Sequence, residues 1–185
     1  MSVNVRKRLF TAEEFYQMAE TGILSERDRV ELIDGEIVEM AAIGNRHAAC
    51  LRRLVDLFGA LRPEVLLDPQ NPLHLSEYSE PQPDLMLLRR KDDYYAAAPP
   101  APEDVLLVVE IANTSAAYDR EVKVPLYAQG GLREVWLADL PSECVEVYRR
   151  PSPAGYGEVR RLRRGQRLSP EAFPAFEVEV TSILG

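Results

Sequence analysis

Five apolar residues run straight into an acid at Val105-Leu106-Leu107-Val108-Val109-Glu110. An unbroken apolar run of strand length has no polar face to show to water, so it fits a strand covered on both sides. Covering both faces takes helices as well as strands, and 185 residues are enough to supply a substantial core within one domain over 1–185. The same run also sets a chemical problem. An ionised carboxylate at the rim of a buried sheet is costly unless it is paired, so Glu110 needs a cation or a hydrogen-bond donor close by.

The rest of the chain supplies the covering elements. Thr11-Ala12-Glu13-Glu14 matches a capping box and starts a helix over 11–20, with Phe15, Met18 and Ala19 as its apolar stripe. Residues 30–40 read as a β-hairpin turning at Asp34-Gly35. Leu51, Leu54, Val55, Phe58 and Leu61 recur at helical spacing over 44–61, and Pro63 ends that helix. Short strands are predicted at 64–67 and 72–76, followed by the strand after Pro83 and an Ala/Pro-rich loop at 96–102. The buried strand spans 104–111. Residues 115–129 read as a helix stopped by Gly130-Gly131, with Pro125 inside it forcing a kink or a new turn. Strands at 134–139 and 144–149 are joined by a Leu140-Pro141-Ser142 turn, and 156–184 reads as further strands and a short terminal helix. The sum is a mixed α/β domain with one central sheet, in which 104–139 forms a βαβ unit with parallel strands and a right-handed crossover.

Composition narrows the partners. Lys and Arg number 22 against 30 Asp and Glu, a net charge of −8 that argues against a non-specific nucleic-acid coat. Residues 149–167 reverse the balance with seven arginines and a single acid, Glu158. Such a strip fits a phosphate backbone, a solvated hairpin face, or an acidic patch on a neighbouring subunit. The longest apolar runs are strand-length, which predicts no membrane span. The first ten residues carry Arg6, Lys7 and Arg8 without an apolar signal core, and the expected location is the cytoplasm. Cys50 and Cys144 show no metal-type spacing and read as buried thiols.

Three residues stand out for chemistry. If the strand opening at Pro83-Asp84 lies antiparallel to the strand ending at Glu110, both carboxylates reach the same rim. Hard oxygen ligands gathered there suit Mg²⁺ or Mn²⁺, and Lys123 on the next helix is placed to orient a water or to face a developing oxyanion. Each residue also has a plainer reading. Asp84 fits a turn cap after Pro83, Glu110 an ion pair at the sheet rim, and Lys123 an i,i+4 pair with Asp119. His47 falls in a helical pattern and fits either a phosphate contact or base, or an ordinary hydrogen-bonding histidine. His74 reads as structural, while Tyr127 and Trp136 read as core.

Taken in order, these pieces resemble the Uma-type restriction-endonuclease-like group of the PD-(D/E)XK nuclease superfamily. The matching segments are Val30-Glu31-Leu32-Ile33-Asp34-Gly35-Glu36-Ile37 with Met40, then His47, Pro83-Asp84-Leu85 and Val108-Val109-Glu110-Ile111. After these come Asp119 to Lys123 with Tyr127, and Glu134-Val135-Trp136-Leu137-Ala138-Asp139. The resemblance implies a restriction-endonuclease-like core, a central mixed sheet flanked by helices, with Asp84 and Glu110 as ligands of Mg²⁺ or Mn²⁺ and Lys123 as the catalytic lysine. It adds Glu31 as an acid completing the metal shell and His47 as a further site residue. The superfamily usually places its lysine two residues after the second acid. Ala112 stands there in this chain, so the role has migrated to the following helix, as it generally does in this group. Asn113-Thr114 replace the Ser-Pro pair common after the strand.

The leading expectation is therefore a divalent-metal-dependent endonuclease acting on DNA. The alternative is a non-catalytic nuclease-fold module that binds DNA or a protein partner. A third reading is a homo-oligomeric scaffold held by the arginine-rich strands, a twofold dimer being the default assembly.

Overall fold

A computed structural model describes residues 7–25 and 27–185, so part of the basic N-terminal stretch read above lies outside the described residues. A six-stranded sheet dominates, in the order β3-β4-β5-β6-β7-β8, formed by β3 (Val65–Pro69), β4 (Leu85–Arg89), β5 (Val105–Ala112), β6 (Glu134–Asp139), β7 (Cys144–Ser152) and β8 (Gly155–Arg163). All neighbours are antiparallel except β5 and β6, which run parallel as expected of a βαβ unit. A hairpin, β1 (Val30–Ile33) and β2 (Glu36–Glu39), stands apart from the sheet, as does the short pair β9 (Arg167–Leu168) and β10 (Val178–Glu179). The hairpin turns at Asp34 and Gly35, both at positive φ, as the Asp-Gly pair predicts.

Helices cover both faces of the sheet. α1 (Ala12–Glu20) opens with the capping box read from Thr11 and Glu14. α2 (Asn45–Phe58) and α5 (Val180–Leu184) lie over one face, where Cys50, Leu54, Phe58 and Ile183 meet Leu85, Leu87, Leu107, Val109, Ile111 and Trp136. The crossover covers the other face, with Val124, Leu126 and Tyr127 packed among Met86, Leu88, Val108, Ala112, Val135 and Leu137. Strand alternation explains this division: Leu107, Val109 and Ile111 point one way, and Val108 and Ala112 the other. Glu110 has the parity of Val108 and Ala112, so it is turned under the crossover.

The crossover runs as α3 (Ala116–Tyr118), a π-helical turn (Asp119–Lys123) and α4 (Val124–Gln129). Pro125 has no N–H to give the preceding turn. The chain absorbs this by widening the turn ahead of the proline, and the helix carries on through α4.

One expectation is corrected, and for the arginine strip the reading of a solvated hairpin face is favoured. Residues 72–76 alternate like a strand, but only Ser76 bridges, to Ser79. Leu73 and Leu75 instead donate their N–H groups to Pro81 and Ser79 across a local turn and bury their side chains under the crossover. The arginine strip is largely neutralised within the chain. Arg149 pairs with Glu134, Arg150 with Glu158, Arg161 with Glu146, Arg164 with Glu143 and Arg167 with Glu177. Cys50 and Cys144 are free and buried, as read, and Trp136 is fully buried with its Nε1–H donating to Glu134. Among the described residues no helix is long and apolar enough to cross a membrane.

Candidate functional site

β4 and β5 pair with Leu85 opposite Val109, so extending the register by one residue sets Asp84 against Glu110. Both acids therefore reach one rim of the sheet. There they line a cleft of about 310 Å³ together with Glu31, His47, Asp119 and Lys123. Four elements converge on it: the β1–β2 hairpin, the first turn of α2, the β4 and β5 strand ends, and the π-helical turn.

Lys123 is buried at 4% exposure, and its Nζ lies 2.7 Å from Glu110 Oε1 and 3.2 Å from Glu31 Oε2. The i,i+4 pair with Asp119 considered from the spacing is not what forms. Lys123 turns inward to the strand, and Asp119 accepts from the Ser115 hydroxyl at 2.7 Å. Tyr127, one turn beyond Lys123, is fully buried and donates its hydroxyl to the same Glu110 oxygen. The partners that the end of the apolar strand demanded are thus a lysine and a phenol on one face of the crossover. Glu31 is fixed from below by the Gln82 backbone N–H, which donates at 3.1 Å.

Asp84 is not a local turn cap. Its Oδ2 accepts from the Ile111 N–H at 2.8 Å, across the sheet, and its Oδ1 lies 2.9 Å from His47 Nε2. His47 is therefore neither a surface nor a core histidine but part of the cleft wall. His74 lies elsewhere, against the buried Glu80, which also accepts from Tyr16.

The electrostatics are lopsided. In the interior of the cleft, Glu31, Asp84, Glu110 and Asp119 share one lysine and one histidine, while Arg29 and Glu39 add one charge of each sign to its exposed wall. Burial pushes Glu110 up to about 8; Lys123 opposes that push and Asp84 adds to it. Burial also raises Asp119, against the hydrogen bond from Ser115. Burial alone would drive Lys123 toward its neutral form, but Glu110 and Glu31 outweigh it and hold the ammonium charged. Among the described residues no three His, Cys, Asp or Glu side chains form a ready-made chelate, since Glu110 is engaged by Lys123 and Asp84 by His47. The donor set is nevertheless all hard oxygen and carries uncompensated negative charge, which fits a divalent cation that keeps several of its waters.

Sequence reasoning missed Asp119 and Tyr118 as members of the cleft. Asp119 was visible only as a helix-surface partner for Lys123, and Tyr118 carries no motif. The widened π turn that brings this stretch to the rim left Pro125 as its one trace in the sequence.

Over residues 12–181 the chain matches the family model described as "Uma2: Putative restriction endonuclease". The chain belongs to this family. The Uma2 fold seen here is also that of a crystal structure described as a putative nuclease belonging to DUF820 from Anabaena variabilis. The two share 16% identity at a TM-score of 0.74, over 95% of this chain and 97% of that one. At that identity the likeness speaks for the restriction-endonuclease-like fold. No curated protein matches the chain.

Proposed function

We propose that this Uma2 chain is a divalent-metal-dependent nuclease that hydrolyses phosphodiester bonds, with DNA as its substrate. The observation that carries the reading is the buried Lys123 ammonium at 2.7 Å from Glu110, on the same rim as Asp84. The resemblance assigns these three residues the site's roles, and what supports the reading is that they lie in one cleft although far apart in sequence. Asp84 and Glu110 would hold Mg²⁺ or Mn²⁺, with Glu31 completing the shell. Once bound, the ion would supply Lewis acidity toward the phosphate and a more acidic water.

The chain's own groups do the remaining work. The Ile111 N–H and His47 hold Asp84 in place, and Tyr127 and Lys123 hold Glu110, so the acids are positioned before any ligand arrives. Lys123 is kept as an ammonium by two acids. It therefore donates a hydrogen bond and stabilises negative charge growing on the phosphate oxygens, and does not take a proton from water. Substrate phosphate would meet this ammonium within the cleft, which residues 40–44 also line.

The test is cleavage of plasmid and oligonucleotide DNA with Mg²⁺ or Mn²⁺, alongside calorimetry with Mn²⁺. Wild-type protein binds Mn²⁺ and cuts. Asp84→Asn loses both, and Lys123→Ala loses cutting by about 10³-fold or more while still binding the ion. Wild-type protein that binds Mn²⁺ but cuts no nucleic acid would refute the substrate assignment.

One observation favours the alternative of a non-catalytic module: Glu110 spends an oxygen on both Lys123 and Tyr127. On that reading the acids are structural, the protein binds DNA or a protein partner without hydrolysis, and calorimetry detects no Mn²⁺ binding.

A further inference from the structure

Buried polar atoms almost always find a partner, and an orphan costs stability, so each one needs a reason. Among the described residues two buried side-chain polar atoms have none: the Tyr118 hydroxyl and His47 Nδ1. They come from different elements, the turn ahead of the π helix and the first turn of α2, and yet both residues line the cleft built above. Two unmet atoms on residues that line one cleft, both closed off from solvent in the free protein, point to a ligand whose seating shifts the cleft wall and completes them.

Their chemistry is complementary. His47 presents Nε2 to the Asp84 carboxylate, so Nε2 carries a proton and Nδ1 is the ring atom left buried without a partner. Burial disfavours a phenolate at Tyr118, Glu31, Asp119 and Glu110 add to that push and Lys123 opposes it, so its hydroxyl remains a donor. Yet none of these carboxylates accepts its hydrogen bond. Asp119 accepts from Ser115, Glu31 meets Lys123 and the Gln82 N–H, and Glu110 meets Lys123 and Tyr127. The donor is left for an oxygen that comes from outside.

We propose that Tyr118 is a further substrate-contacting residue, its hydroxyl donating a hydrogen bond to a non-bridging oxygen of the phosphodiester. The assignment rests on the nuclease reading above and deepens it by naming the atom that the substrate meets beside Lys123. His47 Nδ1 accepts from a water brought in with the same ligand. The unpaired hydroxyl costs the free protein stability and is satisfied once the phosphate is seated.

Tyr118→Phe tests this because it keeps the ring and removes only the unpaired oxygen. The variant is expected to fold with a Tm equal to wild type or up to about 4 °C higher, since an unsatisfied buried hydroxyl is gone. Mn²⁺ binding by calorimetry stays within about twofold, because a phenol is not one of the hard anionic donors. Single-turnover DNA cleavage falls about 10- to 100-fold, the scale of losing one transition-state donor. Binding of a phosphorothioate-linked DNA dinucleotide, measured separately in Mn²⁺, weakens to a similar extent. Wild-type cleavage and dinucleotide affinity in Tyr118→Phe would overturn the role of Tyr118 while leaving the nuclease reading intact. A Tm lowered by several degrees would overturn it too, by showing that the hydroxyl has a structural partner. Wild-type protein that neither cuts nor binds the dinucleotide overturns the nuclease reading itself, and this proposal falls with it.

Discussion

Two groups of acids, one along β6 and β7 of the sheet and one gathered at the rim beside Glu110 of β5, are treated in opposite ways. In the first group, Glu134, Asp139 and Glu146 are each at most 5% exposed, and each is met by arginine. Arg149 reaches Glu134, Arg120 bridges Asp139 and Glu146, and Arg161 adds a second guanidinium to Glu146. Burial pushes Asp139 upward, but the Ser142 N–H and Arg120 outweigh it. Burial pushes Glu146 upward as well, against Arg120, Tyr148 and Arg161, and both acids end below their ordinary values. In the cleft interior, four acids share Lys123 and His47, and Glu110 and Asp119 end above theirs. The outcomes are opposite because burial dominates at Glu110 and Asp119, whereas at Asp139 and Glu146 the Ser142 N–H, the Tyr148 hydroxyl and the arginines outweigh it. The cleft is where the chain leaves negative charge unmatched, and the proposed function rests on that imbalance.

Removing Lys123 should separate the two regions most sharply. Lys123→Met leaves Glu31 and Glu110 buried without a cation, and chemical denaturation in EDTA is expected to show a loss of about 3–5 kcal/mol. If the loss stays under about 1 kcal/mol, the ammonium is not what holds the acids together.

The response to pH should come next in size. Glu110 titrates above its ordinary 4.5, so the folded chain binds its proton more tightly than the unfolded chain does. The stability this brings is complete below pH 4.5 and is lost as pH rises through about 8. In EDTA, wild-type stability should fall across that window by up to about 1.4 kcal/mol per pH unit, and Glu110→Gln should flatten the fall. Asp139 and Glu146 are shifted down, so their contribution is present above their ordinary values and disappears as pH drops through the lowered ones. The arginine region thus fails in acid and the cleft in base. A wild-type curve that is flat from pH 5 to 8 would erase the contrast.

The smallest effect is expected at Arg161, whose side chain is 47% exposed. Glu146 keeps Arg120 and Tyr148 when Arg161 is removed, so Arg161→Ala should cost about 0.5–1 kcal/mol and leave DNA cleavage at the wild-type rate. A large loss of cleavage would place the arginine region within the function.

What the sequence made legible follows from periodicity. Glu110 ends a run whose alternation fixes the face it points to, and antiparallel pairing of that run with the apolar strand after Asp84 brings the two acids together. Lys123 and Tyr127, four residues apart, had to share a helix face, and the need to pair Glu110 selected which one. Residues 72–76 were misread because Leu73 and Leu75 alternate for a different reason: they are pinned beneath a helix by a local turn, with no neighbouring strand. The arginine strip looked free because its acids, Glu134, Glu143, Glu146 and Glu177, are scattered along the chain and meet it only after folding. Tyr118 was invisible for a similar reason: an unmet hydroxyl is defined by what fails to surround it, and no spacing encodes that.

The crossover that clamps Glu110 also roofs it. Tyr127 of α4 is fully buried behind that acid, while residues 40–44 line the cleft that Lys123 also lines. Strand, crossover and hairpin loop are thereby coupled through one small space, and a change in any of the three alters the surroundings of the same ammonium.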